Sequence, residues 1–150
     1  MTADEWGVDE LDVETGEVGD DEDGKDEEPE LVYGSVDEFV RQKLVLQYRR
    51  KVGAEPNQLK WRTDWWNYPE AVSRLTALWR AWEHLRLDPA LGMATWWRDY
   101  AGPTMSALLD PEGPFAGARD EPTIAKTKHN EVLPCNEPPE GWFPDVRLQS

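Results

Sequence analysis

The stretch from Pro69 to Arg86, PEAVSRLTALWRAWEHLR, predicts the fold most directly. Its apolar residues recur at intervals of three and four, as on one face of an amphipathic helix: Val72, Leu75, Trp79, Trp82 and Leu85. Proline is favoured in the first turn of a helix, so we expect this helix to begin at Pro69 with Asn67 or Tyr68 as its cap. We expect it to end near Arg86.

A second helix is predicted on the N-terminal side. Ser35 and Glu38 have the spacing of a capping box, and apolar residues follow at helical intervals as far as Tyr48. Gly53 is a typical helix stop, and the basic residues 49–51 would suit the C-terminal end of the helix dipole.

A third helical region follows Asp88-Pro89. Proline inside a helix breaks or kinks it, so Gly102-Pro103 predicts two pieces, over residues 91–100 and 103–109. The expected fold is all-α: a small bundle of three to four helices with a Trp-rich core, flanked by disordered tails.

Charge divides the chain into two parts. Residues 1–30 hold 15 of the 31 acidic residues and a single Lys, whereas residues 31–150 are nearly neutral. A segment so poor in apolar residues cannot offset its ordering entropy, so we expect an acidic disordered tail over residues 1–32. The helical domain then spans residues 33–118. Residues 119–150 contain five Pro and little periodicity, and we expect an extended Pro-rich C-terminal tail.

The composition argues against several classes of protein. Cys135 is the only cysteine, so no disulfide can form within the chain, which fits a reducing compartment. The first residues are acidic where a signal peptide needs basic and then apolar ones. No apolar run approaches the roughly 20 residues that span a bilayer. We therefore expect a cytoplasmic protein that does not enter a membrane.

The run from Trp61 to Phe115 resembles domain-of-unknown-function family 4913, a family of small, largely uncharacterised proteins. Paired Trp at these spacings are uncommon, and the resemblance rests on them and on residues around them: Trp65, Trp66, Pro69, Glu70, Ala71, Arg74, Leu75, residues 78–83, Asp88, Pro89, residues 96–99 and residues 108–115. The stretch Pro-Pro-Glu-Gly-Trp-Phe, residues 138–143, also resembles the C-terminal end of the family.

The resemblance implies a bacterial protein of a kind often carried on mobile elements, without an assigned activity. In such relatives Cys or His often stands near the positions held here by Arg62, Tyr68, Tyr100 and Ala118. Because this chain departs from that possible metal-binding pattern, the resemblance carries no metal role over to it.

The sequence carries no recognisable catalytic chemistry. It lacks a glycine-rich phosphate loop and a GxSxG nucleophile elbow. His84 is best interpreted as a surface residue in a helical charge pair, and the alternative is a general base tuned by Glu83. His129 and Cys135 lack the spacing of metal ligands, so we expect no metal and no cofactor. An enzyme would need a deep pocket lined by at least two of Glu83, His84, Asp99 and Tyr100.

Two tryptophan doublets give the leading functional hypothesis. Neighbours in a helix diverge by about 100°, so the two rings of Trp65-Trp66 or of Trp96-Trp97 cannot both point into the core. One ring of each doublet should be partly exposed, and exposed Trp is enriched at binding hot spots. We expect a non-enzymatic protein-interaction or regulatory accessory protein, compatible with a homodimer, whose candidate partner-binding residues are Trp65, Trp66, Trp97 and Arg98.

A basic cluster gives the alternative hypothesis. Residues 41–62 carry a net charge of +6, with Glu55 as the one acid among these bases: Arg41, Lys43, Arg49, Arg50, Lys51, Lys60 and Arg62. The simpler interpretation is a solvated helix face. The functional interpretation is a nucleic-acid-associated protein whose cluster contacts phosphates. The acidic N-terminal segment would then modulate this binding, or mimic nucleic acid itself.

Overall fold

The computed structural model describes residues 29–117 and 121–148, and three helices dominate them. The first, α1, covers residues 36–47 in three consecutive parts: Val36–Phe39, a π-turn at Val40–Leu44, and Val45–Gln47. Most of the expected acidic tail, residues 1–28, lies outside the described residues.

The other two helices complete the bundle. The second, α2, spans Pro69–Leu85, with Tyr68 as its cap, so its predicted bounds are confirmed to within one residue. The third, α3, covers residues 92–109 as Gly92–Thr95, a π-turn at Trp96–Ala101, and Gly102–Leu109. Among the described residues there is no strand, and one isolated antiparallel bridge joins Arg62 and Ile124. The all-α prediction is confirmed.

The start of α1 is capped by two side chains. The Ser35 hydroxyl accepts the Glu38 N–H at 3.0 Å, and the Glu38 carboxylate accepts the Gly34 N–H at 2.7 Å. Two backbone donors that the helix cannot satisfy are thus paired. The second donor is one residue earlier than in the usual capping box.

The end of α1 lies before the predicted stop. Tyr48 leaves the helical region, with φ −105° and ψ 82°, so the helix ends at Gln47 rather than at Gly53. Arg49 nevertheless serves this end, because its Nε donates to the Leu46 carbonyl at 2.9 Å.

The predicted break of α3 at Gly102-Pro103 is wrong. Proline has no N–H, and its ring clashes with the carbonyl of the preceding turn in a regular α-helix. Here the Gly102 N–H bonds to the Trp97 carbonyl, five residues back, in a π-turn directly before the proline. A π-turn accommodates one extra residue, so the helix continues through Pro103.

Aromatic rings join the three helices, as the Trp-rich prediction required. The Phe39 ring of α1 lies 6.0 Å from the Trp82 ring of α2 and 6.4 Å from the Trp96 ring of α3. Each such ring removes roughly 150–250 Å² from water, which is a large share of the core of a small domain. Trp61 and Trp65, which precede α2, are also fully buried.

The described part of the C-terminal segment, residues 121–148, packs on the helices instead of extending away from them. Ile124, Ala125 and Leu133 are buried. The Trp61 indole N–H donates to the Pro134 carbonyl at 2.8 Å. This segment therefore belongs to the same compact unit as the helices, which corrects the domain boundary expected at residue 118.

None of the helices in the described ranges combines the length and the apolar character needed to cross a membrane.

Candidate functional site: a basic surface with an aromatic edge

Lys60 and Arg62, two of the predicted nucleic-acid contacts, are buried. The Lys60 ammonium donates to the carbonyl of Gln58, at 2.9 Å, and to that of Glu55. Since its protons are held by backbone carbonyls and only 3% of the residue is exposed, Lys60 cannot reach a phosphate. This corrects its assignment as a ligand contact.

Arg62 fixes the turn that follows α3. Its guanidinium donates to the Phe115 carbonyl at 3.0 Å, to the Ala116 carbonyl at 3.1 Å and to the Thr123 hydroxyl at 3.1 Å. It also pairs with Glu121. Arg62 is therefore a structural arginine, and its predicted role at a phosphate is corrected as well.

Arg41 and Lys43 are closer to the surface but are engaged with neighbours. Arg41 forms a bidentate pair with Asp37 at 2.7 and 3.1 Å, and the hydrogen bond that it donates to this carboxylate raises the pKa of Arg41. The Lys43 ammonium lies 5.2 Å from the centre of the Trp82 ring. The Asp37 charge offsets that of Arg41, so Arg41 adds little to the attraction of an anion.

The other three predicted bases, Arg49, Arg50 and Lys51, lie beside a segment that is far away in sequence and carries two lysines. The Thr127 hydroxyl donates to the Arg50 carbonyl at 2.7 Å and accepts the Val52 N–H at 2.9 Å, and the Thr127 N–H donates to the Val52 carbonyl at 3.0 Å. Residues 126–128 thus run beside residues 50–52. The basic surface, as we define it, consists of Arg49, Arg50, Lys51, Lys126 and Lys128.

The charge of the basic surface is largely uncompensated. Arg50, Lys51, Lys126 and Lys128 are exposed, and Arg49 is half-buried. Among the described residues, none of the five forms an ion pair. The neighbouring carboxylate is that of Glu131, which accepts the backbone N–H of Lys128 at 2.7 Å.

An aromatic edge borders the basic surface. The guanidinium carbon of Arg50 lies 3.9 Å from the centre of the Tyr48 ring. The Tyr48 ring is nearly parallel to that of Trp97, at 14° and with ring centres 6.3 Å apart. Tyr48 is 8% exposed and Trp97 is 39% exposed, so Trp97 supplies the accessible ring.

The expectation that each doublet has one inward and one outward ring is confirmed. Trp65 and Trp96 are 0% and 1% exposed, whereas Trp66 is half-buried and Trp97 is exposed. Trp65 is therefore inaccessible to a partner, because it lies within the core. This corrects its place among the candidate partner-binding residues.

Trp66 is covered by the chain itself. Its indole N–H donates to the Asn136 carbonyl at 3.1 Å, and its ring meets that of Trp142 edge to face at 5.4 Å. Arg98 is exposed and pairs with the adjacent Asp99 at 2.8 and 3.1 Å. Of the four predicted residues, Trp97 and Arg98 thus remain on an open surface.

Glu83 has a structural role. Its carboxylate is buried and accepts the backbone N–H groups of Val32 and Tyr33, at 2.9 and 2.8 Å, and the Trp79 indole N–H at 3.1 Å. Arg86 pairs with it at 3.2 Å. Glu83 therefore fastens the chain before α1 to α2, and the expected tail cannot extend as far as residue 32.

Two other residues considered for catalysis, His84 and Asp99, lie on the surface. His84 is exposed on α2, and Asp99 is exposed, with its pKa lowered by the hydrogen bond from Arg98. An open cleft of about 410 Å³ is lined by the Asp37–Arg41 pair and by residues 137–141 and Phe143. Neither His84 nor Asp99 is among the described residues that line it.

No metal-binding group is found in the described part of the chain, where no three of the His, Cys, Asp and Glu side chains lie close enough to hold an ion. Cys135 is a free thiol, and burial raises its pKa to about 12. At neutral pH it is therefore protonated, which is the less reactive form.

The described residues define a small all-α protein with three helices around tryptophan rings. Its buried charges serve the fold, and the basic surface is the candidate site. This protein belongs to the family described as Domain of unknown function (DUF4913), whose family model matches residues 33–139. The match includes all three helices and much of the segment that packs on them. Comparisons with curated proteins and with solved structures found no match.

Proposed function

We propose that this protein is a non-enzymatic interaction protein and that nucleic acid binds to its basic surface. The observation that carries the proposal is the pairing of residues 50–52 with Thr127, which brings two basic segments together. Arg50 of this surface packs on Tyr48, which lies beside Trp97. Lys and Arg side chains that neutralise phosphates gain affinity by releasing condensed counterions.

The local charge supports this proposal despite the total charge. The chain has a formal net charge of −15, but residues 1–30 account for 14 of these negative charges. At physiological salt the Debye length is about 8 Å, so charges farther away are largely screened. The acidic N-terminal segment then tunes the affinity through its charge, most strongly at low salt.

The placement of the acid–base candidates supports a binding role without catalysis. The Glu83 carboxylate is occupied by four donors, and His84 is exposed on the surface of α2. We place this activity in the cytoplasm, in keeping with a chain whose one cysteine is a free thiol.

Binding of the full-length chain to fluorescently labelled DNA, measured by anisotropy at low and physiological salt, tests the proposal. We expect the double variant Lys51→Glu, Lys126→Glu to bind at least about tenfold more weakly. Its plot of log affinity against log salt should also be shallower, by about 0.7 for each phosphate of a single strand that the variant no longer neutralises.

The matched control reverses two exposed charges elsewhere. Arg74→Glu, Arg80→Glu alters the net charge equally, at two exposed arginines of α2 that are not part of the basic surface. We expect this control to retain most of the affinity. Absence of binding by the wild type at low salt, or equal losses of affinity in the two double variants, would overturn the proposal.

A protein partner is the second candidate, favoured by the exposed side chains of the π-turn in α3. Trp97, Arg98 and Tyr100 are all exposed there, and these three residue types are enriched at interface hot spots. Such a partner, including a second copy of the chain, would bind with little dependence on salt. Sedimentation equilibrium of the wild type and of Trp97→Ala tests the homodimer.

A further inference from the structure

The Trp97 ring is fixed by aromatic neighbours although the residue is 39% exposed. Trp96 meets it edge to face at 4.9 Å, and Tyr48 lies nearly parallel to it. Trp96 is itself anchored, since its indole N–H donates to the Leu78 carbonyl of α2 at 3.2 Å. A ring that is already held in place loses little entropy when a ligand packs on it.

The Trp97 ring is the last of three side chains that lie in a row, and the first of them is the charged Arg50. Arg50 packs on Tyr48 in a cation–π contact, and Tyr48 is followed by Trp97. The Arg50 end belongs to the basic surface, and the Trp97 end offers an uncharged aromatic surface. A ligand that carries both phosphates and planar rings matches both ends of the row.

We infer that a single-stranded nucleic acid binds here, with one base stacked on Trp97 and adjacent phosphates on the basic surface. This inference rests on the proposed function and names its ligand. A duplex keeps the faces of its bases inside its own stack, so Trp97 has little to contact. A single strand leaves these faces open, and stacking on an aromatic side chain tolerates any base.

The test compares three labelled ligands on the full-length chain: a short oligothymidylate, an abasic strand of equal length, and a duplex. The abasic strand carries the same phosphates without bases. We expect Trp97→Ala to weaken oligothymidylate binding about tenfold and to leave binding of the abasic strand and of the duplex unchanged. Trp97→Phe, which keeps an aromatic face, should retain most of the affinity.

Trp142→Ala is the matched control, because Trp142 is exposed but packs against Trp66 rather than beside the basic surface. It should bind all three ligands as the wild type does. Trp97→Leu keeps an apolar contact with Tyr48 but no aromatic face. It replaces Trp97→Ala if circular dichroism shows that the alanine variant is unfolded.

The outcomes separate this inference from the proposed function. If the wild type binds none of the three ligands at low salt, the proposed function fails. If it binds them but the loss of the Trp97 ring weakens all three equally, or none, stacking is refuted while nucleic-acid binding stands. Equal binding of oligoglutamate and oligothymidylate would refute a nucleic-acid ligand in favour of an acidic protein segment.

Discussion

Each of the two tryptophan doublets has one buried ring and one outward ring, but the doublets differ in what covers the outward ring. In each doublet the inward ring is almost completely buried, at Trp65 and at Trp96. The outward ring Trp66 is shielded by Trp142, whereas Trp97 lies open beside the basic surface. Helical geometry alone therefore makes both outer rings candidates for binding. The packing of the rest of the chain leaves one of them accessible.

Replacing an inward ring should be far more damaging than replacing the open one. Trp65→Ala or Trp96→Ala should lower the free energy of unfolding by about 3–5 kcal/mol, since a large buried side chain is removed and a cavity remains. Trp97→Ala should cost about 1 kcal/mol. Urea unfolding followed by circular dichroism measures all three variants. Similar reductions for Trp65 and Trp97 would contradict the assignment of inner and outer rings.

The thiol of Cys135 is a probe of how well the C-terminal segment packs against the core. Burial raises the pKa of this thiol to about 12, from an ordinary value of 9.0. The unfolded chain therefore loses the proton first as the pH rises, and the native state binds one more proton between the two values. In that window the free energy of unfolding should fall by about 1.4 kcal/mol per pH unit, and below it the thiol has no effect.

The measurement is urea unfolding of the wild type and of Cys135→Ala at about pH 8 and about pH 10. Other groups also titrate in this range. Their contribution is the same in both proteins, so it cancels when the result for the alanine variant is subtracted from that for the wild type. The wild type should lose about 1.4 kcal/mol more than the variant between these pH values. An equal decrease in both proteins would mean that the thiol is accessible to water.

A smaller effect on stability is expected from Arg147, whose contacts hold the end of the C-terminal segment. Arg147 donates to the Val32 carbonyl at 2.7 Å and pairs with Glu38 at 3.2 Å, both near the start of α1. Arg147→Ala should cost about 1 kcal/mol or less, as is typical of partly exposed ion pairs. Arg98→Ala is the control, because Arg98 pairs with the adjacent Asp99. The midpoint of thermal unfolding should be lower for Arg147→Ala than for Arg98→Ala. The reverse order would exclude an anchoring role for Arg147.

Local patterns in the sequence were sufficient for part of the fold. The spacing of Leu75, Trp79 and Trp82, with Pro69 at the start, predicts α2 because each signal acts within a few residues. The same 3.6-residue period predicts that each doublet divides into an inner and an outer ring. The break expected at Pro103 shows the limit, since periodicity gives no sign of a π-turn.

Contacts between distant residues could not be predicted in this way. Arg62 counts as a charge in the sequence, but in the fold it is buried and donates to the Phe115 carbonyl, 53 residues away. Lys126 and Lys128 join the basic surface through hydrogen bonds of Thr127 in a segment without helical or strand periodicity. The candidate site therefore became complete only in the folded chain.

The π-turn at Trp96–Ala101 sets the rotational phase of α3. A regular helix advances about 100° per residue, and a π-turn acts as one inserted residue within it. Regular α-helical geometry over the same number of residues would rotate the doublet by about 100° relative to the buried Met105 and Leu108. A different ring would then face outward. The π-turn, as much as the identity of the side chains, decides that Trp97 is the ring presented to solvent.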